Sequence, residues 1–259
     1  MLRIGEIQYA NVYPIFHYFR KLNNPSFEFI KGVPSYLNKM MLDGLIDTSA
    51  LSSIVYAKNP DSFLIIPEIS ISSVGEVKSV VLFSNFSKDN LAGKKIYLTD
   101  ESGTSVLLLK IILKYFWSIE VDFTDEEGVA DAFLYIGDRA LLNYYNGSYP
   151  YKYDLGEEWY KFTGYPFVYA LWLISRYKRD DAKSFVDSLM EIKAMSKKNL
   201  SVLIDEYTLK GLTTYQIIDY WETIDYNLTD KHLKGLLLYY QYNLELNVID
   251  HLPALNFYI

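Results

Sequence analysis

Hydroxyl side chains collect where the apolar runs of this chain end. Ser49, Ser52 and Ser53 follow one hydrophobic run, Ser70, Ser72, Ser73 and Ser79 surround a second, and Ser102, Thr104 and Ser105 open a third. Ser and Thr hydroxyls, with the free backbone N–H groups of a helix start, donate hydrogen bonds where the helix dipole favours negative charge. The chemistry on offer is the holding of a small anion such as a carboxylate. Ser102-Gly103-Thr104-Ser105 is the strongest local signal. Glycine lets backbone approach a ligand closely, and helix capping needs only one hydroxyl of the three. Ser79 lies inside a strand-like run that should border a cleft. Ser52 follows another such run, where helix capping explains it equally well. Asn11, just past the first strand, reads either as a turn residue or as a polar group at a strand's carboxyl end, where α/β proteins bind ligands.

Strong bases are scarce. His17, His232 and His251 lie far apart with no metal-ligating spacing, and the absence of cysteine excludes disulfides and thiolate sites. No GxSxG elbow, Walker loop or GxGxxG fingerprint occurs. Neither a metal nor an organic cofactor is expected. A formal charge of −7 opposes a nucleic-acid surface, which needs clustered cations. It also supplies no long-range pull on an anionic metabolite, so any attraction has to be local. No run reaches the length of a membrane span. The opening MLRIGEIQYA reads as a strand, without the apolar core and cleavage site of a secretory leader. A cytoplasmic protein is expected, its partner a small anion and neither nucleic acid nor membrane; the oligomeric state is not legible.

A scaffold must bring these groups together. With 259 residues, half of them hydrophobic and 22% charged, the chain can bury a large core. Residues 2–8 alternate as a strand, and Pro14 leads into a helix carrying Ile15, Phe16 and Phe19. Strands follow at 27–30, 45–51 and 63–66, with a helix after Gly32-Val33-Pro34-Ser35. This β-α-β-α-β rhythm predicts a parallel sheet covered by helices. A second set begins with strands at 77–84 and 96–99, a helix from about 103 to 116 that is apolar nearly all round, and a strand at 132–136. Asp154-Leu155-Gly156-Glu157 fits a capping box. After the apolar strand 167–174 the pattern is helical to the end. The runs 77–84 and 167–174 bracket the middle segment and predict an inserted lobe. The first lobe then takes 1–84 plus 173–259, the second 85–172, and a hinged cleft lies between them.

Six stretches resemble the chorismate dehydratase family of the futalosine route to menaquinone: RIGEIQYANVYPIF (3–16), GVPSYLNKMMLDGLIDTSALSSIVYAKNP (32–60), ISISSVGEVKSVVLFS (69–84), ESGTSVLLLKIIL (101–113), YIGDRAL (135–141) and YDLGEEWYKFTGYPFVYALW (153–172). The resemblance is dispersed but ordered along the first two thirds of the chain. It implies an α/β, two-lobed fold of the type II periplasmic-binding-protein kind. It also implies loss of water from chorismate, giving 3-[(1-carboxyvinyl)oxy]benzoate, by a substrate-assisted elimination in which the substrate's side-chain carboxylate takes the ring proton. Asn11 matches the family's active-site asparagine and would orient the substrate and steady developing charge. Ser52, Ser79, Ser102, Thr104 and Ser105 would hold the two carboxylates. The related 1,4-dihydroxy-6-naphthoate synthase shares the fold, but its proline-asparagine-aspartate opening and histidine base have no counterpart here. A non-catalytic solute-binding protein is the alternative of another class.

Overall fold

The computed structural model describes residues 1–198 and 200–259. Four strands come first, β1 (Leu2–Ile7), β2 (Phe27–Gly32), β3 (Thr48–Ser52) and β4 (Phe63–Ser73), interleaved with helices α1 (Tyr13–Leu22), α2 (Pro34–Leu42) and α3 (Ser53–Lys58). Five more follow, β5 (Val80–Ser84), β6 (Lys95–Tyr97), β7 (Asp122–Thr124), β8 (Ala132–Ile136) and β9 (Tyr151–Asp154), with α4 (Gly103–Ile111), α5 (Gly137–Asn146) and α6 (Leu155–Thr163). The chain ends with β10 (Phe167–Ser175), α7 (Lys183–Ser196), α8 (Leu200–Leu203), α9 (Thr214–Thr223), β11 (Asp225–Leu228) and α10 (Asp230–Glu245).

The strands form two sheets, ordered β11-β4-β10-β3-β1-β2 and β7-β6-β8-β5-β9. Each has a parallel set at one edge, β2-β1-β3 and β7-β6-β8, continued by antiparallel strands. The molecule is therefore a two-lobed α/β protein with mixed sheets.

Sheet membership places the crossings earlier in the chain than 84 and 172. All of β5 lies in the second sheet and all of β10 in the first, so the chain changes lobe within 74–79 and 155–166. Both strands are apolar because each is central in one sheet, flanked on both sides by neighbours. Asp154 ties the two crossings together. Its carboxylate accepts the N–H groups of Val77 and Lys78 from one crossing and of Gly156 and Glu157 at the start of α6. Burial pushes this carboxyl up to about 7, against the pull of the Glu157, Lys78 and Val77 N–H groups.

Local chemistry explains where elements start and stop. Pro14 and Pro34 sit in the first turns of α1 and α2, where a missing N–H costs nothing. The Ser102 hydroxyl caps α4, and α9 begins with a capping box between Thr213 and Gln216. The apolar helix expected to 116 is α4 followed by a π-helical segment, Ile112–Trp117, ended by Ser118 in the left-handed conformation. The carboxyl-terminal third is not all helix. In β11 only Tyr226 and Leu228 turn inward, a two-residue alternation too short to outweigh the helical pattern around it. Past α10 the tail runs back to pair Phe257 with Ile65. Around β10 the first lobe packs an aromatic core of Phe16, Phe19, Trp172 and Phe185, all fully buried. Each such ring contributes on the order of 2 kcal/mol by leaving water.

Candidate active site

Between the sheets lies a cleft of about 580 Å³, its open mouth included. The first lobe lines it with Ile7 at the end of β1, Asn11, Pro34, Ala50 and Ser52 of β3, Ile71 of β4, and Tyr169 and Ala170 of β10. The second supplies Val80, Ser102, Ser105, Ile136 and Gly137, while Val77 and Ser79 enter from the first crossing. Five residues singled out from the sequence, Asn11, Ser52, Ser79, Ser102 and Ser105, therefore meet in one cavity although 94 positions separate the first from the last.

Thr104 is not among them. It is buried, and its Oγ1 accepts the Ile54 N–H of α3 at 3.3 Å, which ties α4 to the first lobe. Three hydroxyls within four residues cannot all face one direction on a helix, and the middle one goes to packing.

The site hydroxyls are held as acceptors. Asn38 Nδ2 donates to Ser52 Oγ at 3.2 Å, and the Ser52 N–H returns a bond to Asn38 Oδ1 at 3.3 Å. The Ser105 N–H donates to Ser102 Oγ at 3.3 Å, and the two hydroxyls, 3.1 Å apart, share one hydrogen bond. Each arrangement leaves a hydroxyl proton for a ligand. The first amides of α4 have no partner inside the helix and add to the same pole. Tyr220 OH meets Ser79 Oγ at 2.9 Å.

The segment carrying Asn11 is pinned by its backbone. Asp138 Oδ1 accepts the Ala10 N–H at 3.0 Å, Trp221 Nε1 donates to the Ala10 carbonyl at 2.8 Å, and Tyr226 OH donates to the Asn11 carbonyl at 2.5 Å. Burial pushes the Asp138 carboxyl above its ordinary value, against the pull of that N–H. With its carbonyl held by Tyr226, Asn11 turns its side chain to the cleft. Its Oδ1 is buried without a hydrogen-bond partner, a position that costs about 1–3 kcal/mol unless a ligand fills it.

None of the described residues lining the cleft is a histidine, a carboxylate or a lysine. The one titratable side chain is Tyr169. Burial pushes its phenol well above its ordinary value, the Asp154 charge adds to this, and its bond with Ser73 Oγ at 3.2 Å opposes it. It is a neutral hydrogen-bonding group at physiological pH. The histidines lie elsewhere: His17 is buried in α1 beside Tyr13, and His232 sits in α10 against Thr229 and Asp225. Among the described residues no cluster of His, Cys, Asp and Glu could hold a metal ion, and no helix is long and apolar enough to cross a membrane.

Several residues of the site were not legible beforehand. Tyr169 looked like one more apolar position of FVYALWLIS, and its hydroxyl was the only hint. Gly137 is another such residue, present in the sequence reading only as part of the YIGDRAL stretch. It holds φ +57°, its N–H bonds the Ser79 carbonyl at 2.8 Å, and a Cβ there would come within 2.9 Å of the Tyr9 ring. Trp221 and Tyr226 act from the carboxyl-terminal part, which carried no polar motif.

A family model described as "Menaquinone biosynthesis" matches residues 2–245. A chorismate dehydratase of Thermus thermophilus is 33% identical over 210 residues, 73% of this chain and 75% of that protein. Another, from Campylobacter jejuni subsp. jejuni, is 31% identical over 172 residues, 64% of either chain. Among solved structures, a protein from Archaeoglobus fulgidus superposes with a TM-score of 0.77 at 18% identity, covering 96% of this chain and 98% of its own. The alkanesulfonate-binding protein of Xanthomonas axonopodis pv. citri superposes with a TM-score of 0.69 at 15% identity, over 99% and 96%. A Candida albicans protein described as having the generic periplasmic binding protein fold gives 0.67 at 12%, over 97% and 91%. These likenesses establish the fold as periplasmic-binding-protein-like, and the match over residues 2–245 establishes the lineage: the chain belongs to the menaquinone-biosynthesis family.

Proposed function

We propose that the protein is a chorismate dehydratase, a hydro-lyase that turns chorismate into 3-[(1-carboxyvinyl)oxy]benzoate and water on the futalosine route to menaquinone. The observation that carries this reading is the composition of the cleft: hydroxyl donors and one unpartnered asparagine oxygen, with no base among the lining residues. Two relatives named for this activity, at 33% and 31% identity, support it.

Chorismate carries two carboxylates, a ring hydroxyl and a proton on the carbon that bears the enolpyruvyl ether. Ser52, Ser102 and Ser105 stand at the adjoining starts of α3 and α4, which the Thr104–Ile54 bond holds together, and suit one carboxylate, while Ser79 at the first crossing offers a donor to the other. The enolpyruvyl carboxylate is then the only base at hand and takes the ring proton. The proton and the expelled hydroxide make up the water released, and the ring becomes aromatic. The Asn11 amide offers an acceptor to the ring hydroxyl and a donor to charge developing on the substrate. The protein's contribution is orientation and exclusion of water. The same reading implies a cytoplasmic enzyme.

The test is proton NMR of chorismate incubated with the purified protein and with its Asn11→Ala variant. The wild type should yield the aromatic product, and the variant should turn over about 100-fold or more slowly while staying folded. Chorismate recovered unchanged with one equivalent bound would make the protein a carboxylate-binding module instead.

A further inference from the structure

Helix α9 runs along the first crossing and holds both it and the Asn11 segment. Asp219 accepts Lys78 Nζ at 2.6 Å, Tyr220 OH donates to Ser79 Oγ at 2.9 Å, and Trp221 Nε1 donates to the Ala10 carbonyl at 2.8 Å. Two consecutive residues of the crossing, Lys78 and Ser79, are thus bonded by one helix. Lys78 among them has φ +63°, a conformation that costs a non-glycine residue free energy and persists only where its surroundings impose it.

Within this bracket the Tyr220 hydroxyl has a specific consequence. Tyr220 is fully buried, and Ser79 Oγ is the hydrogen-bond partner of its O–H. A buried phenol that does not donate its proton pays the full desolvation cost, so the proton goes to Ser79. Ser79 is buried and lines the cleft, and its carbonyl is taken by the Gly137 N–H at 2.8 Å. Its Oγ, filled by Tyr220, has one hydrogen left to give, and the open direction is the cleft. The tyrosine makes Ser79 a donor toward a bound anion.

We propose that Tyr220 is a positioning residue for the reaction, fixing the Ser79 hydroxyl as a hydrogen-bond donor to a substrate carboxylate without touching the substrate itself. This rests on the reading of the cleft as a chorismate site. A Tyr→Phe change removes one oxygen and keeps the ring that packs beneath the crossing.

The test is a double-substitution cycle on the full chain with chorismate, using Tyr220→Phe, Ser79→Ala and the pair, with thermal unfolding of each. Tyr220→Phe should lower kcat/KM about three- to tenfold, the worth of the one neutral hydrogen bond that orients Ser79. The loss should appear mainly as a raised KM, since the carboxylate is held in ground and transition states alike. In the Ser79→Ala background the same change should cost less than twofold. Equal losses in both backgrounds, or a Phe variant that does not fold, would assign Tyr220 to core packing and overturn the proposal. Trp221→Phe is the control for a general disturbance of α9 and should cost the same with or without Ser79. A wild type that leaves chorismate unchanged would instead overturn the reading of the site, a result distinct from equal losses in an active enzyme.

Discussion

Asp138, at the start of α5 in the second lobe, accepts the backbone N–H of Ala10 from the first lobe at 3.0 Å. The bond spans the cleft one residue before Asn11. It is one of three links that α5 makes to the opposite lobe, the others being Tyr145 OH to Asp219 and Asn146 Nδ2 to the Gly211 carbonyl at 2.6 Å. One helix of the second lobe thus latches onto the loop that presents the asparagine.

Asp138→Ala is expected to leave the Ala10 N–H without an acceptor in a buried place. That should cost about 1–3 kcal/mol of stability and slow turnover by loosening Asn11. Asp138→Asn keeps an oxygen in the same position and should retain most of both. Thermal unfolding and steady-state kinetics on the two variants check this, and an Asn variant as impaired as the Ala variant would point to the charge rather than the bond.

Ser102 has two duties that substitution can separate. Its hydroxyl caps α4 through the Ser105 N–H and also faces the cleft. Ser102→Ala should lose about 0.5–2 kcal/mol of stability from the cap. Ser102→Asp restores a cap acceptor and should recover that stability, yet it places a carboxylate where a substrate carboxylate belongs and should abolish binding. Calorimetry for stability and titration with chorismate for binding tell the duties apart. An Asp variant that still binds would remove Ser102 from the anion site.

A third expectation concerns acid stability. Asp47 is buried and takes three hydrogen bonds from Arg3, from the N–H at 2.9 Å, Nε at 3.1 Å and a terminal guanidinium nitrogen at 2.6 Å. Burial alone would raise its carboxyl, but the bonds to Arg3 outweigh it and hold the group below its usual value. The unfolded chain then binds the proton more readily, so this stabilisation is present above about pH 4 and is lost as pH falls through the folded value. Asp47→Asn should cost about 1–2 kcal/mol at neutral pH, trimmed by the partial exposure of Arg3. The gap to the wild type should close below pH 4 in denaturant titrations, and a gap constant with pH would refute the assignment.

Legibility in the sequence divides along physical lines. Elements with strong periodicity or a cap, such as α1 with its Pro14 and α6 with Asp154, were legible because local chemistry decides them. The site hydroxyls were legible as a group because Ser and Thr at strand ends and helix starts have few other uses. Which of them face the cleft was not. Thr104 and Ser105 are adjacent in sequence, and only the docking of α4 on α3 decides that Thr104 serves Ile54 while Ser105 lines the cavity. The lobe crossings were misplaced by a few residues because an apolar strand reads alike at the centre of either sheet. Tyr220, Trp221 and Tyr226 reach the site only through tertiary packing, over distances in sequence that no local pattern encodes.

The central claim is that this cleft drives an elimination with the substrate's own carboxylate as the base. The most direct measurement is the pH dependence of kcat with chorismate. A base of that kind, together with a cleft free of imidazole, predicts a kcat that is level from about pH 5.5 to 8.5. A fall on the acid side with a midpoint near 6.5 while thermal stability stays level over the same range, the signature of a histidine base rather than of Asp154 at the crossings, or no conversion at any pH, would contradict it.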